Sequence, residues 1–182
     1  MIKHPSNIVQ RYWMGSVVLK TTAESIILPF LPLYGLLFQA SLPVIGVLVA
    51  VNSLFGLAQI IWARFAEKRG KLRITAIITN YSSSLFYFIF AFVPSIVVLI
   101  VFRAIQSLIG SGFYPTSAAL LTKRTKQKDW AYWNSWVQAS TVAGSLVGVL
   151  TGGFILNDPH NRWSYIILFI IAGFFLFESN SI

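Results

Sequence analysis

Three charges stand inside stretches that are otherwise apolar: Lys20 and Glu24, four residues apart, and Arg103. A charge at the centre of a bilayer costs on the order of 2.5 to 3.5 kcal/mol on insertion scales, so such groups face a bundle interior or a watery path and mark functional positions. The i, i+4 spacing puts Lys20 and Glu24 on one helix face, where each can neutralise the other. One reading is a structural ion pair that makes the helix tolerable in lipid. The other is a titrating carboxyl. Desolvation favours the neutral acid and a nearby ammonium favours the carboxylate, so substrate or a moving Lys20 could switch proton uptake and release. Arg103 does not titrate usefully, but it offers a permanent charge on a planar donor fork. Counted inward from the outer end, Arg103 lies about 10 Å deep and Glu24 about 20 Å deep at about 1.5 Å per residue, so no direct pair is assumed. Asn52 lies at a depth nearer Arg103, and Gln106 is one helical turn from it. No catalytic constellation competes with this set. The histidines, His4 and His160, fall in opposite aqueous regions, cysteine is absent, and no phosphate-cradling glycine loop occurs, so neither an enzyme, a metal site nor a cofactor is expected.

The elements that hold these residues follow from composition. Of 182 residues, 56% are hydrophobic and 10% charged, with a mean hydropathy of +0.72, too evenly apolar for a water-soluble domain. Roughly 20 apolar residues span the hydrocarbon as a helix. Six such stretches are expected near residues 12–38, 43–62, 74–93, 96–121, 130–156 and 163–177, making one all-α membrane bundle over residues 1–182. The connections near 39–42 and 94–95 are short, so helices one and two, and three and four, should be antiparallel neighbours. The opening residues, mixed polar and followed by a long apolar run, do not read as a cleavable leader.

A formal charge of +9 raises nucleic acid as a partner, but the distribution argues against it. With six crossings, Lys3, Arg11, Arg64, Lys68, Arg69, Lys71, Arg73, Lys123, Arg124, Lys126 and Lys128 fall on one side, and only Arg162 falls on the other. That asymmetry follows the positive-inside rule and places both termini in the cytoplasm, in a cell membrane. Trp13, Trp62, Trp130, Trp133 and Trp136 sit near the expected cytoplasmic ends and Trp163 near an outer one, at headgroup depth. Of the aromatic residues, Tyr34, Tyr81, Tyr87 and Tyr114 are candidates to line a cavity for flat or cationic compounds.

Small residues mark where helices approach. Gly110 and Gly112 lie in the fourth stretch, and Gly144, Gly148, Gly152 and Gly153 in the fifth. The i, i+4, i+8 ladder of Gly144, Gly148 and Gly152 lines one helix face, as close packing in lipid requires.

Four segments, in order, resemble signatures of the major facilitator superfamily. Residues 63–73, A-R-F-A-E-K-R-G-K-L-R, are similar to the family's G-x-x-x-D-R-x-G-R-R between helices two and three. Ala63 replaces Gly, Glu67 Asp and Lys68 Arg, Gly70 and Lys71 match, and Leu72 breaks the last basic position. Pro29-Phe30-Leu31-Pro32 resembles the P-x-x-P of drug-exporter branches, and Arg103-Ala104-Ile105-Gln106-Ser107 resembles R-x-x-Q-G. Residues 144–153 resemble G-x-x-x-G-P-x-x-G-G, with Val149 at the Pro.

The resemblance covers nearly the whole chain and implies the N-terminal half of such a transporter, most like the drug:proton antiporter branch, built as two three-helix inverted repeats. It implies that Arg103 and Gln106 line a central cavity and take part in proton coupling. It also implies that Glu67, with Lys68, Gly70 and Lys71, forms a gating latch against an opposite half. Gly70 permits the tight turn there. The expected function is therefore half of a proton-coupled secondary transporter exporting small organic or drug-like compounds, its partners being the lipid bilayer, protons, a small-molecule substrate and a second six-helix half on the same or a separate chain. The alternatives are a non-transporting truncated or accessory membrane protein, and an uptake symporter.

Overall fold

In the computed structural model, which describes residues 8–179, the chain is helical, with no strand among the described residues. Lys3 and His4 lie outside those residues, as do the side chains of Arg11 and Arg124. The α-helices are α1 (Ile8–Ile27), α2 (Leu31–Leu36), α3 (Leu42–Gly56), α4 (Gln59–Lys68), α5 (Leu72–Phe90), α6 (Ile96–Gly110), α7 (Phe113–Arg124), α8 (Trp130–Ile155) and α9 (Arg162–Glu178). Four helical segments are long and apolar enough to cross a membrane: Trp13–Leu36, Leu42–Lys68, Ile96–Lys123 and Gln127–Ile155. The shorter α5 and α9 have 19 and 17 residues.

Three of the expected stretches are not single helices. Each is a rod in which one helix runs into the next through a short break: α1 into α2, α3 into α4, and α6 into α7. At the first break Pro29 and Pro32 lack the amide hydrogens that a regular helix needs. There the Phe30 amide donates to the Ile27 carbonyl at 3.0 Å, a tighter i to i+3 turn. The second follows Gly56, where the Ala58 amide donates to Phe55 O at 3.0 Å. The third is Gly110-Ser111-Gly112. Here the Gly112 amide donates to Ile109 O at 3.2 Å, and the Leu108 carbonyl accepts from Trp62 Nε1 at 2.8 Å and from Ser111 Oγ at 2.9 Å. Trp62, expected as a headgroup anchor, thus satisfies a backbone acceptor in the α6/α7 rod.

The basic segment 63–73 is mostly helix rather than loop, because α4 continues to Lys68 through residues that favour helix. The reversal is confined to residues 69–71. It is a Schellman closure: the Lys71 amide donates to Ala66 O and the Gly70 amide to Glu67 O, both at 3.1 Å, with Gly70 at φ +65°. Arg69 turns back over the Phe65 ring, 4.4 Å from its centroid.

Packing runs in pairs. The α1 helix lies along α8 and α9, α5 lies against α9, α6 and α7, and α3 and α4 lie against α6 and α7 respectively. The first two rods meet mainly through α2 and α3, next to their connection, and α3 spends its length on α6. The face of α1 is taken by α8, whose Gly144, Gly148 and Gly152 are buried against it. A Cβ at Gly144 would stand 2.7 Å from the Val18 carbonyl oxygen, and one at Gly148 would overlap the Thr22 carbonyl oxygen. At Gly152 it would overlap the Phe30 ring. Gly153, grouped with these by sequence, lies about a quarter-turn round the helix and is exposed, with Phe30 Cζ 3.9 Å from its notional Cβ.

Polarity is distributed inside out relative to a water-soluble protein. Large apolar side chains cover the exterior, Leu42 at 79% and Phe154 at 89% exposure, while Thr79, Asn80, Ser83, Ser84, Arg103 and Gln106 are buried. A surface this apolar belongs against lipid. An aromatic and aliphatic core around Tyr34, Phe90, Tyr165 and Phe169 closes the end near the α2–α3 connection.

Candidate functional site

Lys20 and Glu24 meet as their spacing requires, Nζ to Oε1 at 3.0 Å. Lys20 is buried at 1% exposure, while the Glu24 side chain keeps 22%. Partners from two other helices surround the pair. Lys20 Nζ donates to Asn80 Oδ1 on α5 at 3.1 Å and stands 4.5 Å from the Phe113 ring centroid. The Tyr114 hydroxyl on α7 donates to Glu24 Oε2 at 2.6 Å. Asn80 Nδ2 in turn donates to Ser179 Oγ, just past α9, at 2.6 Å. A chain of polar contacts therefore runs Tyr114, Glu24, Lys20, Asn80, Ser179 across the bundle. A buried ammonium is tolerable here because a carboxylate, an amide oxygen and ring faces share its charge.

Arg103 forms a second cluster. It is buried at 2% exposure, donates from Nη2 to Asn52 Oδ1 at 2.8 Å, and donates from Nη1 to Gln106 Oε1 one turn along α6. Ser107 Oγ also donates to Asn52 Oδ1, at 3.1 Å. Arg103 Nε is buried without a hydrogen-bond partner among the described residues. The guanidinium is held by neutral amide oxygens, and the ion pair between Lys20 and Glu24 does not include it.

Both clusters open on one cavity of about 290 Å³, whose wall includes Glu24, Asn52, Tyr87, Arg103, Gln106 and Tyr114. Lys20 lies behind Glu24 and is not in the wall. All three rod breaks reach it, through Leu28, through Gly56 and Leu57, and through Gly110 and Ser111. Irregular backbone at membrane depth is tolerated where it lines a watery cavity, because water can satisfy the carbonyls that a break frees.

Of the residues singled out by sequence, Glu24, Asn52, Arg103 and Gln106 converge on this cavity. Glu67, Lys68, Gly70 and Lys71 do not, since they sit at the α4–α5 turn. Gly144, Gly148 and Gly152 build the α1–α8 seam instead. Of the four tyrosines, Tyr87 and Tyr114 reach the wall, Tyr34 is buried in the core with its hydroxyl on Phe90 O at 3.2 Å, and Tyr81 packs on Phe177. Asn80 and Ser179 were missed. Asn80 carries the same signal as Asn52, an amide inside an apolar stretch. Ser179 carries none, because a serine near a helix end is unremarkable. No group of three or more His, Asp or Glu able to hold a metal occurs among the described residues.

Comparison with known proteins places these features in a family. The Major Facilitator Superfamily model matches residues 14–178. An uncharacterized MFS-type transporter, YuxJ of Bacillus subtilis (strain 168), is 32% identical over 118 residues, covering 65% of this chain and 29% of that protein. Multidrug resistance protein MdtG of Klebsiella pneumoniae (strain 342) is 26% identical over 171 residues, 91% of this chain and 40% of that protein. MdtG of Proteus mirabilis (strain HI4320) is 27% identical over 182 residues, 92% of this chain and 44% of that protein. The chain thus spans less than half the length of these relatives.

Proposed function

The chain belongs to the major facilitator superfamily, and from that premise we propose that it forms one half of a proton-coupled secondary transporter in the cell membrane, exporting small organic or drug-like compounds. The observation that carries this reading is the shared cavity. A carboxylate, Glu24, and a permanent cation, Arg103, face the same space, at the level where three rods are broken. The names of the MdtG relatives support the export of drug-like compounds.

The packing supports six crossings arranged as two three-rod repeats. Numbered along the chain, the five most extensive pairings are one with five, two with four, three with six, one with six and three with four. Exchanging the first three rods with the last three leaves that set of pairs unchanged, as an inverted repeat requires. Alternating access then needs a complementary bundle, from the rest of a longer chain, a second copy or a separate polypeptide. In that assembly Glu67, exposed at the end of α4, faces the opposite half as the acidic member of a latch.

The mechanism follows from the partners of Glu24. While ionised it holds Lys20 and the Tyr114 hydroxyl. Protonation cancels the attraction to Lys20, whose ammonium retains Asn80, and turns one carboxyl oxygen into a donor toward the cavity. Substrate engages the Arg103 fork, whose Nε lacks a hydrogen-bond partner among the described residues, and redistributes Asn52 and Gln106. One carboxyl thus exchanges a proton at the wall where substrate is bound. The test is dye efflux in inverted membrane vesicles energised by a proton gradient, with Hoechst 33342 and ethidium as probes. Glu24→Gln and Arg103→Ala should each lower gradient-driven flux at least about tenfold, a loss of about 1.4 kcal/mol or more in coupling. Unchanged flux in both would remove the coupling assignment.

A further inference from the structure

A second cavity, of about 430 Å³, lies between α1, α7 and α8, toward the end of the bundle where α7 passes into α8. Among the described residues it meets the Arg103 cavity only at Tyr114, which lines both. Its chemistry differs. Trp13, Phe113, Tyr114, Trp130 and Trp133 supply its walls, and among the described residues no Asp, Glu, Lys, Arg or His lines it.

Among the described residues, the hydroxyls of the wall are spent, with one exception. Thr122 donates to Ala119 O at 3.0 Å, Thr125 to Leu121 O at 2.7 Å and Thr141 to Val137 O at 2.9 Å, each returning to its own helix. Tyr114 donates to Glu24, and the Trp130 indole nitrogen donates to Thr125 O at 3.1 Å. Ser117, at 3% exposure on the same wall, has a buried Oγ with no partner among the described residues. A buried hydroxyl left unsatisfied costs about as much as a lost hydrogen bond, unless something entering the cavity completes it.

We propose that this cavity is a binding site, separate from the charged cavity, for uncharged planar aromatic compounds that lay a ring between the tryptophan and phenylalanine walls and present a polar atom to Ser117. The volume falls within the range of small-molecule pockets, roughly 300 to 1,000 Å³. The ring faces select flat, polarisable partners. With no ionised side chain among the described wall residues, an anionic ligand would lose its hydration without a counter-ion. The site does not depend on proton coupling by Glu24, so it stands or falls apart from the transport reading.

The test is binding of 7-ethoxycoumarin to the purified 182-residue protein in lipid nanodiscs, read as energy transfer from tryptophan, with empty nanodiscs as the control for partition into lipid. Saturable binding is expected. It should weaken about fivefold in Ser117→Ala, the worth of one hydrogen bond, and be lost in Ala118→Trp, which fills the cavity from α7. Arg103→Ala should leave it within about twofold, because that side chain does not line the site. Coumarin-3-carboxylate, of similar size but anionic, should bind at least about tenfold more weakly. Circular dichroism of each variant separates lost binding from lost fold, and Ser117→Ala, which deletes one atom, carries the test if Ala118→Trp does not fold. Non-saturable transfer, full binding in both Ser117→Ala and Ala118→Trp, binding that disappears in Arg103→Ala, or equal affinity for the carboxylate would each overturn the proposal.

Discussion

At the scale of single residues, the chemistry rests on how two buried cations are balanced. Lys20 has a carboxylate, an amide and aromatic faces, and in the proposed mechanism Asn80 is the partner that holds it when Glu24 is neutral. Replacing Asn80 with Leu should destabilise the protein by about 1–3 kcal/mol, the cost of stranding a buried donor. It should also move the pH dependence of flux, an effect that a merely structural role would not produce. Thermal unfolding in nanodiscs and a pH profile of dye efflux together check it, and Asn80→Asp should recover folding better than Leu because it restores an acceptor. Arg103 is different, because its fork spans Asn52 and Gln106 at once. Arg103→Lys keeps the charge but loses that geometry, so its flux should fall nearly as far as that of Arg103→Ala. The Lys20–Glu24 contact was legible in the sequence because i, i+4 spacing fixes it within one helix. The Asn80 and Tyr114 contacts were not, because they depend on how α5 and α7 are rotated against α1, which no local pattern encodes.

At the scale of elements, small residues decide where helices touch and where they stop. Gly148→Ala should destabilise by about 1–3 kcal/mol, the range for overpacking, since its Cβ would overlap the Thr22 carbonyl oxygen of α1. Gly153→Ala, five residues along the same helix, meets nothing closer than 3.9 Å and should change stability by no more than about 0.5 kcal/mol. Unfolding of the two variants side by side in nanodiscs checks the seam. Gly70→Ala introduces no clash, but it places an alanine at φ +65°, which costs about 1 kcal/mol. The loss should appear as fraying of the α4–α5 turn in amide exchange. The glycine ladder could be read from sequence because its period matches a helix face. The rod breaks could not. Pro29, Gly56 and Gly110 are each common in membrane helices, and only the fold reveals that their breaks meet at one depth, around one cavity.

At the scale of the whole molecule, the outside is apolar and the polar groups are gathered within, which suits a bundle that meets lipid on its periphery and water along an internal path. Basic residues gather at the α4–α5 and α7–α8 turns, and by the positive-inside pattern we propose that those turns face the cytoplasm. On the proposed reading, the three rod breaks enclose a water-filled cavity faced by Glu24 and Arg103. The chain has no cysteine, so single cysteines can be introduced without a background. Ser53 lines the cavity, whereas Leu150, at 65% exposure, lies on the apolar exterior of α8. The decisive measurement is the labelling rate of Ser53→Cys and Leu150→Cys by a charged, water-soluble methanethiosulfonate reagent in nanodiscs. Ser53→Cys should react at least about tenfold faster, because the thiolate that reacts forms only where water reaches it. An inert Ser53→Cys, or equal rates at the two positions, would contradict it.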